Sequence, residues 1–220
     1  MVCLKPLVCA LIPSSLPVVF PTHTTSHSLT HLMDTFEALT TRTTIHRFSE
    51  EPVDENSIDR ALEAAVAAPN HKLTNPWRFT RIGNETQQSI TELYLELKRE
   101  SKGSLTDEQV REYRQKIGGP PVVIAVSQVL DDDAFRRKED YAAVACATQN
   151  LMLSLWSDGI SSKWSTGSVT RHQETYRMLD IDADREEIVG FIFAGFPRDD
   201  HRDTQKPPRE PLEDVVREVS

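Results

Sequence analysis

Cysteine is scarce in this chain of 220 residues, and its three copies, Cys3, Cys9 and Cys146, include no close C-x-x-C pair. That spacing argues against a disulfide framework and against a cysteine zinc site. Cys146 falls in an apolar run of helical character and reads as a buried free thiol. A reducing cytoplasm is the compartment that fits. Long apolar runs are missing too. The longest candidate, residues 6–20, is broken by Pro13, Pro17 and two serines, so nothing reads as a membrane span. It follows Lys5, as a secretory leader would, but its internal prolines and the lack of a small-x-small cleavage site speak against that role. There is no basic tract, and the net charge is −9 at pH 7. This balance argues against nucleic acid and anionic membranes as main partners. GxGxxG opening a helix, GxxxxGKS/T, GxSxG and HExxH are all absent, which removes the common nucleotide, hydrolase and zinc-protease signatures. His23, His27 and His31 are spaced four apart, as metal ligands on a helix face would be. They stand among serines and threonines that disfavour a helix, so no metal site is expected.

What is present is one domain's worth of ordered pattern. Residues 21–32 are low-complexity Ser, Thr and His. Met33, followed by Asp34 as a helix cap and an amphipathic turn, reads as the true start, with residues 1–32 disordered or not made. Residues 34–41 predict a short helix. Asp54 can cap a second, in which Ile58, Ala61, Leu62, Ala65 and Val66 share a face and Pro69 marks the end. Residues 77–82 alternate like a strand. Residues 86–100 and 106–117 predict charged surface helices, ended by the Gly-Gly-Pro-Pro break at 118–121. "VVIAVS" (122–127) and "EIVGFIFAGFP" (187–197) are continuous apolar runs, which predicts strands covered on both faces. "YAAVACATQNLMLSLW" (141–156) has small or apolar residues all round. It predicts a helix buried on every side, more than a chain of this size hides alone, so a partner subunit is expected to cover part of it. Residues 169–179 predict another helix, and "KPPREPLEDVV" a Pro-broken link into a last short one. The fold class is α+β: a few central strands wrapped by helices.

Three clusters offer chemistry. "TRTTIHRF" (41–48) is the densest basic group in the first half of the domain, with hydroxyls between its charges. Phosphate recognition wants that mix, although a solvated charged turn would look the same. "APNHKLTNPW" (68–77) holds His71, Lys72, Thr74 and Asn75 between two prolines that restrict the backbone, beside a tryptophan that is equally at home in a core. "KWSTG" (163–167) offers an indole face, two hydroxyls and a glycine that permits close approach, or simply a packed turn.

Together, and in this order, the clusters resemble the FMN-dependent nitroreductase family from Met33 onward. Residues 42–48 are similar to its R-R-S-I-R-x-F motif, with Thr43 and His46 replacing the usual arginines. Residues 68–79 match its A-P-S/N…P-W-x-F block, residues 140–167 its D-Y-A-A-V…Q-N-L…W-x-x-G block, residues 188–197 its V-G-F-I-x-x-G-x-P stretch, and residues 209–216 its R-x-P-L-E-D-V-V ending.

The resemblance implies an α+β nitroreductase-like FMN-binding fold, with a central, mainly antiparallel sheet wrapped by helices. It also implies an intertwined homodimer with two FMN sites across the interface. It assigns Arg42, Thr43 and Thr44 to the phosphate and ribityl end. His71 and Asn75 contact the ring from the loop, while Trp164, Ser165 and Thr166 approach from the other subunit's segment. Arg209, with Lys206 as a weaker candidate, closes the phosphate site. The implied reaction is ping-pong hydride transfer from NADH or NADPH through FMN to a small electron-poor acceptor such as a nitroaromatic, quinone or enone, with no titrating catalytic side chain. A same-fold reductive dehalogenase or flavin-fragmenting enzyme, a flavin-binding redox sensor with little turnover, and a cofactor-free helical dimer are the alternatives.

Overall fold

The computed structural model describes residues 33–198 and 207–219. The chain divides into two units, residues 1–32 and 33–220, and everything described belongs to the second. The leader-like run, the three spaced histidines, Cys3, Cys9 and Lys206 therefore lie outside the described residues.

Two apolar runs make the centre of the sheet. β2 (Val122–Val129) pairs antiparallel with β4 (Glu186–Gly195), β1 (Trp77–Arg81) flanks β2, and β3 (Ser161–Ser165) flanks β4, giving the order β1-β2-β4-β3. Side chains alternate across a strand, and here both faces are covered. Ile124, Val126, Ile192 and Ala194 pack on one face against α2 (Glu55–Val66) and α5 (Ala134–Ser157). Val123, Ala125, Phe191 and Phe193 pack on the other against α3 (Asn84–Lys102) and the end of α4 (Asp107–Gly118). Both runs are apolar without interruption because neither face meets water, and each fully buried Ile, Leu or Phe contributes about 1.5–3 kcal/mol.

The register shifts between Val126 and Ser127, which pair with Gly190 and Ile188 and leave Val189 as an extra residue. That bulge keeps Ile188 and Phe191 in the same core although three residues separate them. Gln87 clamps the α3 side: its buried amide donates to the Ile117 and Pro120 carbonyls at 2.9 Å each. Thr106 and Gln109 form a reciprocal capping box at the start of α4.

α5 differs from the expected helix in two ways. It begins earlier, and it is not buried on every side. Val144, Ala147, Leu151 and Leu155 form its packed stripe, whereas Tyr141, Ala142, Cys146 and Gln149 face outward. The Cys146 thiol is exposed and free rather than buried. The sequence pattern assigned part of this helix's cover to a partner subunit, and the outward face is the part that the single chain leaves open. Val66, placed on the apolar face of α2 by its spacing, is 53% exposed. The helix expected over 169–179 is broken. A 3-10 turn, Ser168–Arg171, precedes α6 (Gln173–Met178), with His172 extended between them and its Nδ1 accepting the Glu174 N–H at 3.2 Å. A histidine that caps the second turn cannot also continue the first. The last helix, α7, is Leu212–Val215.

Candidate functional site

β3 is one of the two edge strands, and the "TRTTIHRF" segment runs along it. α1 (Thr35–Thr41) is capped by Asp34, whose carboxylate accepts the Glu37 N–H at 2.8 Å, and it ends at Arg42. The Trp156 indole N–H donates to Thr41 Oγ1 at 2.9 Å, tying this point to the C-terminal end of α5. Beyond it, Thr44 forms a parallel bridge with Ser162, and Ile45 buries its side chain in the α3-side core. Thr43 is half-buried between them.

This edge holds buried polar atoms that no group among the described residues satisfies. Arg42 Nη1, Ser162 Oγ and Trp164 Nε1 all lack a hydrogen-bond partner. Burial, and secondarily the charge of Arg209, hold the Arg42 guanidinium below its usual pKa. The fold therefore brings two like-charged guanidiniums together from opposite ends of the domain. Buried donors in native proteins are almost always paired. Three orphans, one of them on Arg42 itself, with the Arg209 charge nearby, fit an anionic, acceptor-rich ligand with a phosphate at the arginine end.

Trp164 sits where it does because residue 190 is glycine. A Cβ there would lie 2.3 Å from the indole Nε1 and 3.0 Å from the Ser165 carbonyl. Ser165 is half-buried at the end of β3, and Thr166 is exposed in the turn that follows.

The proline-flanked loop lies elsewhere. Asn70 organises it: its Oδ1 accepts from the Thr74 hydroxyl (3.1 Å) and the Asn75 N–H (3.2 Å), and its Nδ2 donates to Asn75 Oδ1 (3.1 Å). Thr74 also meets Asp140 of α5 at 2.6 Å. Lys72, Leu73 and Asn75 all have positive φ, at 61°, 54° and 47°. Each costs about 1–3 kcal/mol in a side-chain-bearing residue. His71 and Asn75 are exposed, as is Leu73 at 79%. Asp140 and Trp156 are sixteen residues apart on one helix, about 24 Å at 1.5 Å per residue. Within one chain, Arg42, Thr43, Thr44, Arg209 and the Trp164 strand gather at one end of α5, and His71 and Asn75 stand at the other.

A cavity of about 680 Å³ opens on the α4 side of the sheet edge, lined by His46, Arg47, Lys163, Arg111 and Lys116 among others. Lys163 is buried, and its amine is lowered to about 8, first by burial and then by the neighbouring Lys116 charge. The sequence reading marked His46 and Arg47 as part of a basic cluster but missed Lys116 and Arg111. They lie on a helix rich in both charges, and only the tertiary fold separates them from its other charged residues.

Lys163 has a measurable consequence. Its unfolded amine titrates near the usual 10.5 and the folded one near 8. Below pH 8 both states are protonated and the folded state bears the full cost of the buried charge. Between 8 and 10.5 the folded state sheds a proton that the unfolded state keeps, so stability rises with pH across that window. Lys163→Met is expected to melt a few degrees above the wild type at pH 7 in an anion-poor buffer, the gap closing towards pH 10. Calorimetric scans at pH 7, 8.5 and 10 check this; a variant that melts lower at every pH would refute it.

Residues 39–196 match the family model described as Nitroreductase family. The Bacillus subtilis (strain 168) protein YfhC, provisionally named an NAD(P)H nitroreductase, is 29% identical over 184 residues, covering 83% of this chain and 93% of that one. A nitroreductase-like family protein from Bacillus cereus superposes with a TM-score of 0.71 at 21% identity, covering 84% of this chain and 95% of the other. The nitroreductase NfnB of Sphigopyxis sp. strain HMH, described as FMN- and NADPH-dependent, gives a TM-score of 0.69 at 19% identity, covering 84% and 98%. With the sheet order, the arginine-bearing edge and a match across most of its length, the chain belongs to the nitroreductase family.

Proposed function

We propose that this chain is an NAD(P)H-dependent flavin oxidoreductase that binds FMN along the β3 edge and delivers hydride to a small electron-poor acceptor. The observation that carries the reading is the row of orphaned buried donors, Arg42 Nη1, Ser162 Oγ and Trp164 Nε1, with Arg209 near the first. Arg42 and Arg209 hold the phosphate, and two guanidiniums match its charge and its acceptor geometry. The hydroxyls of Thr43 and Thr44 serve the ribityl end. Trp164, Ser165 and Thr166 bound one side of the ring site, with backbone N–H groups of the turn available to it. Bound FMN supplies the centre that accepts and returns hydride. Donor and acceptor take turns at one opening, which gives ping-pong kinetics, and the chain's own residues orient them rather than titrate. Nitroaromatics, quinones and enones are the acceptor classes in view.

The site is completed by a second copy. Tyr141, Ala142, Cys146 and Gln149 form an outward, uncharged stripe on α5, with Ala142 and Cys146 small enough to let an identical helix approach. A two-fold axis through that stripe runs the two α5 helices antiparallel. It moves His71 and Asn75 of each loop towards the other copy's Arg42 end and so shortens the separation of about 24 Å along the helix. Phe36, Leu73 and Leu212, exposed at 75%, 79% and 72%, would gain cover in such a dimer. No helix among the described residues is long and apolar enough to cross a membrane, and a cytoplasmic dimer is consistent with that.

The purified protein should be yellow, and anaerobic NADH or NADPH should bleach it until a nitroaromatic or quinone restores the colour. Colourless protein that takes up no FMN would sink the proposal, and yellow protein that neither donor bleaches would favour a flavin sensor with little turnover. Arg42→Ala should weaken FMN by about 1–3 kcal/mol, or about 5- to 150-fold in Kd, read from fluorescence quenching; unchanged affinity would remove Arg42 from the phosphate site. Ala142→Glu places a charge within the proposed interface. It should give a folded monomer by light scattering with lost FMN affinity, and a dimer that persists would move the interface elsewhere.

A further inference from the structure

We propose that the cavity between α4 and the β3–β4 edge binds an oxyanion, a phosphate or carboxylate carried by a small molecule, with the Lys163 and Lys116 ammonium groups as its donors. This holds whether or not the chain binds FMN. Lys163 is only 9% exposed. Among the described residues no carboxylate pairs with it, and its closest favourable contact is the Phe193 ring, 6.0 Å from Nζ. That is the outer limit of a cation–π interaction. The charge that acts on it is Lys116, of the same sign. Lys116 is itself anchored on a neutral group, donating to the Tyr94 hydroxyl at 3.2 Å.

The remaining charged groups around the cavity do not supply the missing anion. α4 contributes Glu108, Arg111 and Glu112, and Glu112 lies 3.9 Å from Arg47. The end of β4 adds Arg198, and the segment before α2 adds His46. Among the described residues, five cationic side chains and two carboxylates line the space; Arg47 and Arg198 have interactions of their own, which leaves Lys163 and Lys116 as the pair that calls for an anion. A buried ammonium beside another, in a protein rich in acids that it does not use there, is costly unless a ligand brings the opposite charge. The volume of about 680 Å³ admits a whole small molecule rather than an ion alone.

The cavity is also separate from the orphaned donors of the edge. Lys163 alternates with Ser162 and Trp164 along β3 and so projects from the other face. Trp164 packs with the α2 and α5 core, and Phe193, under Lys163, with the α3 core.

The test is titration calorimetry of the full chain at pH 7 with inorganic phosphate and, separately, with benzoate. At least one should bind at one site per chain and raise Tm. The tighter of the two names the source of the oxyanion. Lys163→Met should weaken that binding about tenfold or more, Lys163→Arg should retain most of it, and Arg42→Ala should leave it within about twofold. If Lys163→Met does not fold, Lys116→Met takes its place with the same expected loss. Two results overturn the proposal: neither anion binds at millimolar concentration, or binding survives both lysine replacements and vanishes in Arg42→Ala, which would assign it to the arginine edge.

Discussion

The packing of α5 against the β2–β4 face is the constraint from which the rest of the molecule follows. Val144, Ala147, Leu151 and Leu155 lock this 24-residue helix onto Ile124, Val126, Ile192 and Ala194. Everything that matters is then attached along its length. Thr74 of the loop bonds to Asp140 near one end, Asn150 reaches the Ala64 carbonyl of α2 at 3.1 Å in the middle, and Trp156 holds Thr41 at the other end. A rigid helix is a ruler. It keeps the loop and the arginine edge apart in one chain. Under the proposed dimer, the outward stripe and the divided site share one cause.

The second organising force is local cost without local compensation. Lys72, Leu73 and Asn75 are held at positive φ by bonds from a single side chain, Asn70, and by the Thr74–Asp140 contact. Natural proteins keep such strain where the surroundings over-determine it, commonly at ligand clamps. The orphaned donors of the edge and the unpaired Lys163 follow the same logic in electrostatic form. Each is tolerable in a protein whose native complement includes something with acceptors or negative charge, and each would otherwise be removed by a routine substitution.

Much of this was legible in the sequence. The uninterrupted runs of β2 and β4 announced strands covered twice over, Asp34 announced its cap, and the family resemblance singled out Arg42 and Arg209, two residues whose charges the fold brings into interaction. The rest was hidden for physical reasons. Hydropathy cannot tell an alanine face packed against a sheet from one awaiting a partner, so α5 read as wholly buried and Cys146 with it. The break at His172 depends on an imidazole choosing to cap the next turn, a choice that helix propensity does not encode. Lys163 and Lys116 were invisible as a pair, because only the docking of α4 against the β3 edge makes them neighbours.

β3 carries the most consequence for its length. Its alternation sends Ser162 and Trp164 to one face and Lys163 to the other, so five residues serve two environments of opposite demand. The Trp164 side requires a flat surface, and Gly190 opposite provides it by having no Cβ. The Lys163 side requires room and compensating charge, and α4 sets another ammonium, Lys116, beside it. Strands are stiff, and a shift that relieved one face would displace the other. A substitution at Gly190 that lifts the indole therefore also moves the Lys163 ammonium relative to Lys116. The two sites are chemically separate, but mechanically they stand on one backbone, and either can be tuned only within what the other tolerates.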